Sequence, residues 1–250
     1  MRILVISDVH GNADALRSVL EHAPSWDDVW VLGDLVDYGP EPHTVVDMIR
    51  DLSPGLIVRG NHDNAAAFGV DCNCDPKVHE LSVYTRQRVT LALLSKEQLE
   101  WLRGLPLHVR RSVDGREYYA VHGSPSSPLY GYLYPDMPRE RLLEALSRPG
   151  VRLSRGSGER VRSDVVIVGH THVQFRLELD GQTVVNPGSV GQPRDGVPLA
   201  SYMVIDTEGP AFSHGRAKYD VEVVLRKLSS LGIERRYYEW AARILTSASL

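Results

Sequence analysis

Five short apolar runs, each running into a cluster of Asp, Asn or His, constrain the fold of this 250-residue chain more than any other feature. Arg2–Ser7 leads into Asp8-Val9-His10-Gly11-Asn12, and Val29–Leu32 into Gly33-Asp34-Leu35-Val36-Asp37. Leu56–Val58 precedes Gly60-Asn61-His62-Asp63, Glu117–Val121 precedes His122-Gly123, and Val165–Val168 precedes Gly169-His170-Thr171-His172. Nearly continuous apolar runs of this length predict strands buried on both faces. Ligands of open α/β sheets bind outside the carboxyl ends of the strands, so five chemically armed strand ends predict one shared site. Each motif alone is compatible with a helix cap or a turn; all five together are not. His170 and His172 alternate along an extended chain, which predicts that they point to one side.

Helical spacing predicts helices over 14–22 and 45–52, the second with Pro42 near its start. Strands alternating with helices predict right-handed crossovers and a mainly parallel first sheet. Later the character changes. Leu107–Val113 and Glu117–Val121 flank Asp114-Gly115, Phe175–Leu179 and Thr183–Val185 flank Asp180-Gly181, and Tyr202–Asp206 and Ala211–His214 flank Glu208-Gly209-Pro210. These are hairpin signals, and they predict an antiparallel second half. Further helices are expected over 77–94, 96–102, 139–147, 221–229 and 234–245. No repeat or long linker interrupts the chain. Residues 1–250 read as one domain, with 124–162 as a cap or loop insertion.

Lys and Arg number 28 against 32 Asp and Glu, a formal net charge of −4 that argues against a general nucleic-acid binder. No apolar run approaches the roughly 18 residues of a membrane span. The two cysteines, Cys72 and Cys74, stand too close in sequence for an easy intrachain bridge. No disulfide framework is implied, and a reducing, cytoplasmic location is expected. Nothing in the sequence sets an oligomeric state.

The donors at the strand ends mix carboxylate and amide oxygens with imidazole nitrogens and include no thiolate. That set suits Mn, Fe, Zn, Co or Ni better than Ca, and it is not a structural cysteine zinc site. There are too many donors for one ion. Two divalent transition-metal ions about 3.5–4 Å apart, sharing one carboxylate, match two-metal hydrolysis. Such ions lower the pKa of a bound water from about 15.7 toward 7 and neutralise charge on phosphate oxygens.

The order Asp-x-His, Gly-Asp-x-x-Asp, Gly-Asn-His-Asp, His-Gly, Gly-His-Thr-His over residues 8–172 resembles the calcineurin-like metallophosphoesterase superfamily. The tail Asn186-Pro187-Gly188-Ser189-Val190-Gly191 is similar to its small bacterial and archaeal phosphodiesterase branch. The resemblance implies a four-layer α/β/β/α sandwich of two mixed sheets with flanking helices. It assigns Asp8, His10 and His172 to one metal and Asn61, His122 and His170 to the other, with Asp34 bridging and Mn favoured. His62 matches the family's catalytic histidine, which protonates the leaving oxygen, and Asp37 the carboxylate that orients it. The family's protein serine/threonine phosphatases continue the second motif Asp-Arg-Gly, and that arginine grips phosphate. Here the continuation is Asp37-Tyr38-Gly39-Pro40, as in the small-phosphodiesterase branch, some of whose members cleave dinucleoside tetraphosphates; branch members often carry glycine in place of Asp37.

The expected activity is therefore hydrolysis of a small phosphodiester or nucleotide, dinucleoside polyphosphates included. A protein phosphatase and a non-catalytic metal-binding scaffold, as in a retromer subunit of this fold, remain alternatives; the scaffold needs no general acid. Arg194 is placed to contact a substrate phosphate or to lie solvated. The five arginines between Arg148 and Arg162 form either a polyphosphate clasp or a solvated loop. Tyr130, Tyr132 and Tyr134 offer a base-stacking wall or pack their loop down. Cys72 and Cys74 read as free thiols of a lid loop.

Overall fold

In the computed structural model, which describes residues 1–148, 160–209 and 211–250, the first apolar run becomes β1 (Arg2–Ile6), central in a five-stranded sheet. Its side chains alternate between two buried faces. Ile3 and Val5 face the middle of the molecule, and Leu4 and Ile6 face the outer helices. Both faces are covered, so the run is apolar from Ile3 to Ile6. β1 pairs in parallel with β2 (Asp28–Val31), which pairs in parallel with β3 (Leu56–Ile57). On its other side β1 meets β9 (Ala200–Asp206) antiparallel, and β10 (Ala211–Ala217) completes the sheet.

The second sheet has the order β4 (His108–Val113), β5 (Arg116–Val121), β6 (Val165–Ile167), β8 (Gln182–Pro187), β7 (Gln174–Leu179). The three hairpins form where their turn residues stand. The second half is nevertheless not simply antiparallel. β5, β6 and β8 run parallel at the centre of this sheet, and the β9–β10 hairpin joins the first. A local turn fixes a hairpin, but which sheet receives it depends on long-range packing.

The sheets face each other across a core in which Trp30 meets Tyr118 edge-to-face at 5.1 Å. Such a pair adds about 0.5–1.5 kcal/mol beyond its buried area. Outside the first sheet lie α1 (Ala13–His22), α2 (Pro42–Leu52), α8 (Val221–Ser230) and α9 (Arg235–Ser247). Leu142 and Ala145 of α7 (Arg139–Ala145) cover the outer face of the second. Layers therefore run helix, sheet, sheet, helix. The segment predicted as one helix over 77–94 is α4 (His79–Thr85), a π-turn (Arg86–Thr90) and α5 (Leu91–Leu93), followed by α6 (Lys96–Gly104). α3 (Asn61–Phe68) was not expected: its apolar residues are alanines and one Phe, too little periodicity to announce a helix.

Candidate metal centre and catalytic dyad

The ends of β1, β2, β3, β5 and β6 converge on one buried point. Asp8, His10, Asp34, Asp37, Tyr38, His170 and His172 all have φ between 47° and 67°. This left-handed region costs about 1–3 kcal/mol at each non-glycine residue and persists where the surroundings hold it. Asp and His tolerate it better than most residue types. Glycine is obligatory alongside. A Cβ on Gly60 would stand 2.0 Å from Asp34 Oδ1, and one on Gly33 2.3 Å from the Gly60 nitrogen.

Two groups of donors result. In the first, His172 Nε2 lies 3.2 Å from Asp8 Oδ1 and 3.2 Å from His10 Nε2. In the second, His122 Nε2 lies 3.0 Å from Asn61 Oδ1 and 3.2 Å from His170 Nδ1. Asp34 Oδ2 stands between them, 3.8 Å from His10 Nε2 and 3.2 Å from His122 Nε2. All seven side chains are buried.

Backbone carbonyls decide what these rings present. His10 Nδ1 donates to Val36 O at 2.9 Å, His122 Nδ1 to Leu32 O at 2.7 Å and His172 Nδ1 to Gln192 O at 2.6 Å. A carbonyl only accepts, so each Nδ1 carries the hydrogen and each Nε2 turns a lone pair inward. Asn61 Nδ2 donates to Cys72 O at 2.9 Å, which turns its Oδ1 inward as well. Acceptors thus face acceptors, while Asp8 Oδ1, Asp34 Oδ2 and His170 Nε2 have no hydrogen-bond partner. Buried lone pairs packed together without donors are costly unless cations lie among them. Asp8, His10 and His172, and Asp34, His122 and His170, form groups whose ligand atoms lie within 4.8 Å of one another. The donor set fits divalent transition metals. Burial holds His170 and His172 below the usual imidazole pKa and brings His10 down to about 3, so these rings stay neutral. Burial also disfavours charge on His122, but the Asp34 carboxylate outweighs it and lifts the ring to about 9, so with no cation present its Nε2 takes up a proton, which a metal ion at that place would displace.

His62 lies beside this centre, its ring 5.0 Å from that of His10. Its Nδ1 is 2.8 Å from Asp37 Oδ2, which leaves Nε2 as the nitrogen able to hand over a proton. Burial disfavours the imidazolium, yet the Asp34 and Asp37 carboxylates raise its pKa above the ordinary value. His62 also forms a group with His10 and Asp34, so its ring stands where a ligand or a proton donor can act.

Three residues at the site escaped sequence reasoning. Arg86 is buried in the π-turn, its Nε 2.9 Å from the same Asp37 Oδ2 and its Nη2 2.9 Å from Ser82 Oγ. Nothing in the pattern of 77–94 marks one arginine as buried. Ser82 Oγ is itself 3.2 Å from His62 Nδ1. Asp63 accepts from the backbone nitrogens of Asp34 and Leu35, both at 2.8 Å, and of Gly60 at 3.0 Å. It therefore ties the turn bearing Asp34 to the start of α3. Its position as third residue of a helix that starts after a glycine cap was the signal available.

The other expected residues divide. Arg194 donates its backbone N–H to His172 O at 3.2 Å and its Nη2 to Gln192 Oε1 at 2.7 Å, and its buried Nε has no partner. Tyr38, standing where protein phosphatases carry arginine, is buried with its ring 4.9 Å from His10 and its hydroxyl toward Cys74 Sγ. Tyr132 packs on the His170 ring at 4.2 Å and parallel to Tyr134 at 6.0 Å, whereas Tyr130 is exposed. The three do not form one wall. Arg160 is tied to Leu179 O at 3.3 Å, Arg162 accepts from Arg110 through its carbonyl, and Arg152 and Arg155 lie outside the described residues. Cys72 and Cys74 are buried against the site instead of lying in a lid. Among the described residues no helix is long and apolar enough to cross a membrane.

A sandwich of two mixed sheets with acceptor-lined strand ends defines a metallophosphoesterase architecture. The chain belongs to the calcineurin-like phosphoesterase superfamily, whose domain model matches residues 1–209. A metallophosphoesterase from Sphaerobacter thermophilus superposes with a TM-score of 0.79 at 30% identity, covering 99% of both chains. An uncharacterised protein of Methanocaldococcus jannaschii is 30% identical over 95% of this chain and 94% of its own. The symmetrical bis(5'-nucleosyl)-tetraphosphatase of Serratia proteamaculans is 30% identical over 65% of this chain and 65% of its own. Family and site together make this chain a phosphoester hydrolase.

Proposed function

We propose that the protein hydrolyses a small phosphodiester or nucleotide, dinucleoside polyphosphates included, at a centre of two divalent ions. The observation that carries this reading is the convergence of buried acceptors in two groups joined by Asp34. Asp8, His10 and His172 would hold one ion and Asn61, His122 and His170 the other, with Asp34 placed between the two groups. The thiolate-free mixture of carboxylate, amide and imidazole donors suits Mn, which the family resemblance favours, with Fe, Zn, Co and Ni able to replace it. When bound, such ions supply hydroxide at neutral pH and neutralise phosphate oxygens.

The chain's own residues do the rest. Asp37 holds the His62 ring through Nδ1, and Nε2 delivers a proton to the leaving oxygen, which is worth about 10²–10⁴-fold. Arg194, with its unpartnered Nε, grips a substrate phosphate. Residues 1–250 act as one domain, with 124–162 as its cap, because Tyr132 from that segment packs on His170. The Serratia relative's substrate supports a nucleotide reading. Tyr38 in place of a phosphate-gripping arginine counts against a protein phosphatase, and the retained His62–Asp37 pair counts against a scaffold. Two thiols in the reduced form suit a cytoplasmic location.

The test is a panel assayed with and without Mn²⁺: a bis-aryl phosphate, its monoester, a dinucleoside tetraphosphate, cyclic nucleotides and a phosphopeptide. Metal-dependent turnover with higher kcat/KM on a diester or nucleotide than on the phosphopeptide is expected. The reverse order overturns the substrate class, and no turnover on any member overturns catalysis.

A further inference from the structure

We propose that Cys72 and Cys74 are an oxidative modification site, at which a hydroperoxide joins the two thiols in a disulfide that slows the neighbouring His62. The sequence spacing argues against an easy bridge, but the turn between the two residues overrides it. Asn73 has φ 46° and donates its backbone N–H to Asp71 Oδ1 at 2.7 Å, folding the chain so that the two sulfurs lie only 2.9 Å apart. Residues two apart span at most about 7 Å between Cα atoms, close to the separations that disulfides bridge.

The two thiols differ in access. Cys72 is 0% exposed, whereas Cys74 is 8% exposed and lines an open cavity of about 570 Å³ with Asn73, Asp75, His79 and Tyr132. A hydroperoxide therefore reaches the pair from the Cys74 side. One sulfur of the pair attacks one peroxide oxygen, an S–O bond forms, the O–O bond breaks, and water or an alcohol leaves with the thiol proton. The other sulfur then attacks the first, S–S forms, S–O breaks, and water leaves with the second proton. The peroxide gains two electrons and the thiols lose them.

Both sulfurs touch side chains that touch His62. Cys72 Sγ is 3.4 Å from Ser82 Oγ, which is 3.2 Å from His62 Nδ1. Cys74 Sγ accepts from Tyr38 OH at 3.7 Å, and the Tyr38 ring lies 5.0 Å from that of His62. The carbonyl of Cys72 also holds Asn61. Bond formation draws the sulfurs closer and pulls on all three contacts. Displacements near 1 Å in such supports cost up to about 10²-fold in rate.

The effect on rate rests on the hydrolase reading above; formation of the bond does not. Mn-loaded protein is treated with a few equivalents of hydrogen peroxide, quenched with catalase, and divided between mass spectrometry and turnover of the bis-aryl phosphate. The expected results are a mass lower by two hydrogens, one peptide bridged from Cys72 to Cys74, and turnover down at least tenfold and restored by dithiothreitol. Cys74→Ala and, as a second variant, Cys74→Ser are expected to lose neither the two hydrogens nor their starting rate. An unchanged mass, added oxygen without a bridge, or bridges between chains overturns the site. A bridged protein that turns over at its former rate overturns the control of His62. If no phosphoester is cleaved before oxidation, the hydrolase reading fails and the mass measurement still decides the site.

Discussion

Arg86 and His62 rest on the same oxygen of Asp37, at 2.9 Å from Nε and 2.8 Å from Nδ1. The guanidinium therefore shares the charge that would otherwise act on the imidazole alone, and it fixes the carboxylate that fixes the ring. Arg86 is a positioning residue. A general acid works protonated, so its contribution is full below the His62 pKa and the alkaline limb of the rate falls as pH rises through it. Removing Arg86 leaves the Asp37 charge undivided, which favours the imidazolium and moves that fall to higher pH. Arg86→Met is expected to lower kcat about tenfold through the loosened ring and to shift the alkaline limb of kcat/KM upward. Arg86→Lys should restore part of the charge but not the fork. A merely structural arginine would change melting temperature and leave the limb in place.

Asp34 is the side chain that reaches both groups of donors. Asp34→Asn replaces one of its carboxylate oxygens by a donor, which opposes a cation there. Bound metal and turnover should fall together, as measured by elemental analysis and the diester assay. Two metals per chain retained with full activity would show that another residue joins the two groups.

His62→Ala tests proton delivery. Both ions should remain bound, while kcat on a nucleoside or alkyl leaving group falls about 10²–10⁴-fold. The loss should shrink with nitrophenolate, which leaves without a proton. Loss of metal would make His62 a ligand, a role its closeness to His10 and Asp34 allows.

Asp63 should matter for stability before it matters for rate. Asp63→Ala strands three buried backbone N–H groups, for a destabilisation on the order of 3 kcal/mol. Urea unfolding should show a lower midpoint at unchanged slope. Metal affinity should weaken as well, since the turn carrying Asp34 loses its tie to α3. A variant as stable as the parent would mean that water replaces the carboxylate.

The sandwich and the convergence of the candidate donors were legible because each strand is a buried apolar run and each donor sits at its end. Asp8, Asp34 and His122 are close in space for the same reason that they are conspicuous in sequence: the chain must turn directly after each strand. What escaped depends on contacts between distant segments. Arg86 is an ordinary helical arginine until Asp37, 49 residues earlier, is placed against it. The parallel placing of β6 between β5 and β8 has no local signal, because hairpin turns report only on immediate neighbours. The helix α3 was hidden by its alanines, which suit a helix but form no apolar stripe to be seen.

Three of the inward-facing imidazoles take their orientation from main-chain carbonyls, those of Leu32, Val36 and Gln192. Enzymes that orient such rings with carboxylate side chains can lose that support by a single base change. A carbonyl is supplied by every amino acid, so no substitution at residues 32, 36 or 192 deletes it while the local backbone path holds. The supporting layer of this centre is thereby carried in the chain trace and not in the identity of the residues, and it can pass unchanged through descendants whose sequences at those positions drift.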